Sequence, residues 1–289
     1  MQDTALYLKY VVTVLAREIG VRTYQDIRKL ENAAQYISGQ FTSFGYQVTQ
    51  QPFSFRGNTY HNLVAEITGT ASPSKVLIIG AHYDTVSTTP GADDNASGVA
   101  GLLAMARALA GYPLAHTVRF VAFGLEEPPT YRTANMGSYH YARSLRERDE
   151  PVAGMLCLEM IGYFSDRRGS QRYPLPFFSS KFPSMGNYIS FVGNIRSKAF
   201  TERFAKCFQK VVDLPVVTLN APAIVIGIDF SDHWSFGKFG YQAFMVTDTA
   251  FYRNPHYHDP TDLPETLSYE SMAKVVEGLT SAVREWGTT

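Results

Sequence analysis

The sequence predicts an α/β fold: a mixed, largely parallel central β-sheet with helices on both faces. Three observations predict it. Strand-like and helix-like segments alternate from Lys75 onward, the order that builds a parallel sheet with crossover helices. The segment KVLIIG (75–80) is apolar without interruption, as in a strand buried on both faces. No composition shift, internal repeat or low-complexity tract interrupts the 289 residues. The chain therefore reads as one domain, 1–289, although its length alone would permit two.

The elements follow in order. Residues 5–18 and 23–44 carry apolar side chains at three- and four-residue spacing and predict two N-terminal helices. Gly45 stands where the second should stop. Three strand-like runs come next: Gln47–Phe55, Asn62–Thr68 and Lys75–Gly80. They are followed by a helix at 96–110, a strand at 117–123, a helix at 137–147 and a strand at 153–160. A polar stretch containing Pro and Arg predicts a long loop at 165–187. Beyond it lie a strand at 188–193, a helix at 198–210, a strand at 214–218, a short helix at 232–238, a strand at 242–248 and a helix at 268–286.

Lys+Arg and Asp+Glu both count 26. The balance argues against a nucleic-acid binder, which would carry a basic excess. The two cysteines, Cys157 and Cys207, form no CxxC pair, so neither a thiolate metal site nor a redox motif is expected. Cys157 lies in an apolar run and reads as a small core residue. No apolar run approaches the roughly 20 residues of a membrane span. The opening MQDTALYLKYVVTVLARE reads as an amphipathic helix and not as a signal peptide. Oligomeric state stays open, as does location: cytoplasmic, or exported with a signal removed.

Ligand-type residues gather where strands end, the place where open α/β sheets form their sites. His82 and Asp84 follow the 75–80 strand. Alternate residues of an extended chain point the same way, so Asp84 can accept the second N–H of a metal-bound His82. A turn-forming Asp beside a satisfied His is the plain alternative. Asp93, Asp94 and Asn95 precede the 96–110 helix and could simply cap it. Glu126 and Glu127 follow the apolar VAF; neighbouring side chains diverge, so one can bind metal while the other acts as a general base. Glu159 sits among apolar residues, where a carboxylate needs a Lys or Arg partner or a cation. His258 lies in the loop RNPHYHDPTD beside a rival, His256.

The motifs AHYDT (81–85), PGADDNASG (90–98), FGLEEPP (123–129), LEMIGY (158–163) and HYHDPTDLPETL (256–267) occur in this order. Together they resemble the zinc exopeptidases of metallopeptidase family 28, which include bacterial leucyl aminopeptidases and the catalytic domain of glutamate carboxypeptidase II. The resemblance spans 81–267 and implies a zinc exopeptidase fold. It implies that His82, Asp94, Glu127, Glu159 and His258 bind metal, with Asp94 bridging two ions. Asp84 would support His82, and Glu126 would be the general base. Three carboxylates and a bridging hydroxide, roughly −4 together, would balance two Zn²⁺. Two departures stand out. Many family aminopeptidases have Asp where this chain has Glu159, and Glu127 is followed by PPTYRTANMGS in place of a short Gly-rich link.

The implied activity is hydrolysis of N-terminal residues from peptide substrates, with a Tyr as one possible oxyanion donor. Two alternatives remain. One is a single-zinc glutaminyl cyclase of related fold, to which Asp232 in the Asp-His pair of IDFSDHWSF points; that Asp could equally cap a short helix. The other is a carboxypeptidase, which would need basic residues such as Arg167, Arg168 or Arg172 at the site.

Overall fold

The computed structural model describes residues 1–174 and 176–288. Leu175, inside the expected 165–187 loop, and Thr289 lie outside the described residues. The described residues form an eight-stranded sheet: β1 (Val48–Phe55), β2 (Asn58–Ile67), β3 (Ser72–His82), β4 (His116–Phe123), β5 (Val152–Leu158), β6 (Ile189–Gly193), β7 (Val216–Asn220) and β8 (Ala243–Thr247). Their spatial order is β1-β2-β4-β3-β5-β8-β6-β7. The centre, β4-β3-β5-β8, is parallel, as is β6 with β7. The β1–β2, β2–β4 and β6–β8 pairs are antiparallel. The sheet is thus mixed and largely parallel, as the alternation predicts.

Each expected element is present, with shifted ends. The helices are α1 (Gln2–Thr13), α2 (Ile27–Ser43), α3 (Gly98–Leu109), α4 (Gly137–Glu147), α5 (Pro176–Ser179), α6 (Lys198–Gln209), α7 (His233–Lys238) and α8 (Tyr269–Trp286). α1 runs on into a wider turn, Val14–Ile19, that ends at Gly20 with φ +78°. α2 starts at Ile27 and not at 23, because Asp26 caps it by accepting the N–H of Lys29. β2 begins four residues before the expected 62. Arg56 and Gly57 both have positive φ, which makes the two-residue turn of a β1–β2 hairpin. The expected loop at 165–187 contains one helical turn, α5.

The uninterrupted apolar run of β3 is explained by its two covered faces. Leu77 and Ile79 join the larger core with residues of α1, α2, α3, α6 and α8. Val76 and Ile78 join a second core with Tyr141 and Leu145 of α4 and Phe236 of α7. Val192 of β6 and Met245 of β8 lie on this second face, where β6 and β7 also floor a cleft walled by loops. No described helix is long and apolar enough to cross a membrane.

Candidate active site

The parallel strands β3, β4 and β5 deliver their next residues to one end of the sheet. His82 closes β3 and is buried. Its Nε2 lies 3.4 Å from Asp94 Oδ1 and 3.2 Å from Glu159 Oε2. Asp94 turns its other oxygen, Oδ2, to within 3.1 Å of His258 Nε2, which is 3.3 Å from Glu127 Oε1. Two triads therefore share Asp94: His82, Asp94 and Glu159, and Asp94, Glu127 and His258. The structure brings all five expected ligand residues together, and Glu126 lines the same cleft.

These atoms fit a cation better than they fit each other. Asp94 Oδ1, Glu127 Oε1 and His258 Nε2 are buried without a hydrogen-bond partner among the described residues, a rare condition for buried polar atoms. Two atoms each about 2.1 Å from a tetrahedral zinc ion would stand about 3.4 Å apart. The observed separations, 3.1–3.4 Å, match.

Among the protein groups alone, burial pushes Glu126 and Glu159 above the usual carboxylate range, and Glu127 to about 7. Burial opposes charge on His258, but Asp94 and Glu127 outweigh it and hold the imidazole at about 10. Burial likewise opposes the charge on Asp94, and His258 and His82 overcome it, keeping that carboxyl low.

Asp84 does more than the sequence suggests. Its Oδ1 lies 3.3 Å from His82 Nδ1, as expected. The same carboxylate accepts the backbone N–H of Glu126 at 2.9 Å and of Glu127 at 3.1 Å. One acid thus orients an imidazole and fixes the turn in which Glu126 and Glu127 diverge. Leu125, at φ 58°, begins that turn.

The 91–98 segment divides its roles. Asn95 caps α3, accepting the N–H of Gly98 at 3.1 Å. Asp93 does not cap; its carboxylate accepts from Gly162 N–H and Asn254 Nδ2. Gly91 is required: at φ +64° a Cβ would stand 2.3 Å from Asp94 O and 2.4 Å from Thr85 Cγ2.

Three contributors were not foreseen. Asp262 accepts the N–H groups of Asp93 and Asp94 at 2.9 and 3.1 Å. Ser231 donates to Glu159 Oε2 at 2.6 Å, so Glu159 pairs with Ser231 and His82 and not with a Lys or Arg. Arg22, wholly buried, donates to the carbonyls of Leu15, Gly20, Tyr83, Pro90 and Gly91. It ties the chain after α1 to both loops that present His82, Asp84 and Asp94. A charged residue in the short GVRTYQ stretch was the only available signal. Asp232 occupies the cap position of α7, but its side chain makes no cap bond. Both its oxygens are buried without a partner among the described residues, and burial lifts it to about 7. Its electrostatic neighbours include His82 and Glu159, and it does not line the cleft.

The lining of the cleft is mostly aromatic and aliphatic. Arg172 lines it, while Arg167 and Arg168 do not. The model of peptidase family M28 matches residues 62–283. The chain belongs to peptidase family M28. Escherichia coli K12 protein YfbL is 41% identical over 280 residues, covering 94% of this chain and 85% of that one. Aminopeptidase YwaD of Bacillus subtilis is 28% identical over 214 residues, covering 73% of this chain; the match spans 41% of the relative's length. Among solved structures, a zinc aminopeptidase from Bacillus subtilis superposes with a TM-score of 0.80 at 17% identity, over 99% of this chain and 95% of that one. A glutaminyl cyclase of Fimbriiglobus ruber superposes with 0.72 at 19%, over 97% and 94%. At these identities the two likenesses show a shared fold.

Proposed function

We propose that the chain is a two-zinc aminopeptidase that removes N-terminal residues from peptides, with Glu126 as general base. The observation that carries this reading is the pair of triads sharing Asp94, with Glu126 buried beside them and belonging to neither. One ion would be held by His82, Asp94 and Glu159, the other by Asp94, Glu127 and His258. Zinc bound there would polarise the scissile carbonyl and lower the pKa of a water toward about 7. The chain's own groups do the rest. Glu126, lifted by burial, is suited to take the water proton and return it to the leaving amine. Tyr257, stacked on the His258 ring at 3.8 Å, lines the cleft and is the phenol we assign to the developing oxyanion. Asp84 orients His82 and holds the backbone from which Glu126 projects.

Two complete triads favour hydrolysis over a single-zinc cyclase. A single Arg in the lining, already donating to Phe251 O at 2.8 Å, offers little to a substrate carboxylate. The test is a peptide-library digest read by mass spectrometry, with zinc added or chelated, beside Gln-naphthylamide. Zinc-dependent loss of single N-terminal residues is expected. Cyclised N-terminal Gln or loss of C-terminal residues would overturn the assignment.

A further inference from the structure

Glu126 and Glu127 begin a segment that is bonded to itself. Thr130 donates its N–H to Glu127 O at 3.0 Å, and its hydroxyl lies 2.7 Å from the same carbonyl. Thr133 N–H in turn donates to Thr130 O at 3.0 Å. From this segment, 126–133, two side chains reach a second loop, 221–232. Arg132 Nη2 donates to Asp229 Oδ2 at 3.0 Å, and the same guanidinium sits 5.6 Å from the centre of the Phe230 ring. Tyr131 meets that ring edge-on at 5.9 Å. Two residues beyond Asp229, Ser231 donates to Glu159 Oε2. Ring contacts also run on from Phe230 to Phe251 at 6.4 Å, from Phe251 to Tyr257 at 5.5 Å and from Tyr257 to His258 at 3.8 Å. One ion pair thus joins the segment carrying Glu126 and Glu127 to the segment that holds Glu159, and to an aromatic arc that ends on His258. Tyr131 and Phe230 line the cleft; Arg132 and Asp229 do not.

Asp229 depends on this contact. Its side chain is only 11% exposed, and Arg132 is its one ion-pair partner among the described residues. Its second oxygen, Oδ1, is buried there without a hydrogen-bond partner. A carboxylate so placed that loses its cation must regain water or take a proton. Regaining water moves residue 229 outward, and Phe230 and Ser231 are its neighbours in the chain. We propose that the Arg132–Asp229 pair is a clasp between the two loops. Both are positioning residues: they fix Glu126 and Glu127 relative to Glu159 and His258 without touching substrate. The proposal rests on the aminopeptidase reading for its rate effects alone.

Three variants test it. Arg132→Met keeps the stem and removes the charge, at a side chain 38% exposed that folding tolerates. Asp229→Asn keeps the shape and removes the charge, and Arg132→Lys keeps the charge. On an aminoacyl-p-nitroanilide with zinc present, Arg132→Met and Asp229→Asn should each lower kcat about three- to tenfold and leave KM within about twofold. The double variant should be no slower than the slower single, because a shared interaction is lost only once. Arg132→Lys should keep most of the wild-type kcat. Two readouts need no turnover. Zinc affinity, by competition with a chromogenic chelator, should fall about threefold or more in both charge-removing variants. Amide hydrogen exchange read by mass spectrometry should quicken in both 126–133 and 224–232 when either residue is replaced. Losses that multiply in the double variant would overturn the clasp. So would exchange that quickens only in the loop carrying the substitution, or a raised KM at unchanged kcat. Coupled exchange and weakened zinc binding in a protein that hydrolyses no aminoacyl amide would keep the clasp and overturn the peptidase reading.

Discussion

Asp84 makes four groups behave as one: its own carboxylate, the His82 ring and the N–H groups of Glu126 and Glu127. Replacing it by Asn removes the charge that orients His82 and leaves an amide where two N–H donors converge. We expect Asp84→Asn to weaken zinc binding about 10- to 100-fold, measured by competition with a chromogenic chelator. Glu126→Gln should leave zinc content and melting temperature near wild type and lower kcat by about 10²–10⁴; turnover close to wild type would remove Glu126 from the base role. The His82–Asp84 pairing was legible in the sequence, because two residues on an extended chain share a face. The bonds from Asp84 to residues 126 and 127, and from Asp262 to residues 93 and 94, were not. Their partners stand far apart along the chain, and only the parallel sheet sets them side by side.

At the level of elements, three of the five expected ligands stand at a strand end or in the turn after it, while Asp94 lies in the segment before α3 and His258 in the loop beyond β8. β3 delivers His82, the turn after β4 delivers Glu127, and β5 is followed at once by Glu159. The strand expected at 153–160 stops at Leu158, and Glu159 follows it directly, its backbone N–H still donating to Val246 O of β8 at 3.0 Å. Its Oε2 accepts from Ser231 and lies 3.2 Å from His82 Nε2. The N-terminal segment matters through Arg22. Met at this position would take a donor from five carbonyls, of which those of Leu15, Tyr83 and Gly91 are buried and those of Leu15 and Gly91 keep a backbone donor, at about 1–3 kcal/mol for each left dry and unpaired. We expect Arg22→Met to cost roughly 3 kcal/mol or more of stability by urea unfolding, and to weaken zinc binding as the 83–91 loop loosens. Unchanged zinc affinity in a folded Arg22 variant would confine the residue to a structural part.

For the whole molecule, buried acids dominate the response to pH. Burial holds Asp248 up to about 6, Asp232 to about 7 and Asp262 to about 8, from an ordinary value of 3.8. Between pH 4 and 8 the folded chain therefore keeps protons that the unfolded chain has lost. Their contribution is complete below the unfolded pKa and is lost as pH rises through the folded values. Chelator-treated protein should melt lower at pH 8 than at pH 5. Saturating zinc should reduce or reverse that slope, because cations bind the deprotonated ligands. A chelated protein that melts higher at pH 8 would contradict these assignments. Asp248→Asn should flatten the chelated profile.

Hydrophobic period determined the fold class and the order of elements, because it reports local backbone state, and strand-end position marked where ligand-type residues gather, because a strand end in a parallel sheet is already a place in space. The choice of five ligands, Asp94 over Asp93 and His258 over His256 among them, came from the order of the family motifs. Tertiary structure alone decided which acids share partners. It showed that Asp93 reaches Gly162 and Asn254 while Asn95 caps the helix, that Asp232 is not a cap, and that Arg22 grips both ligand loops. It also decided the cleft. An apolar strand reads the same whether a helix covers it or not, and whether Val217 and Leu219 are core or floor depends on what the rest of the chain leaves uncovered.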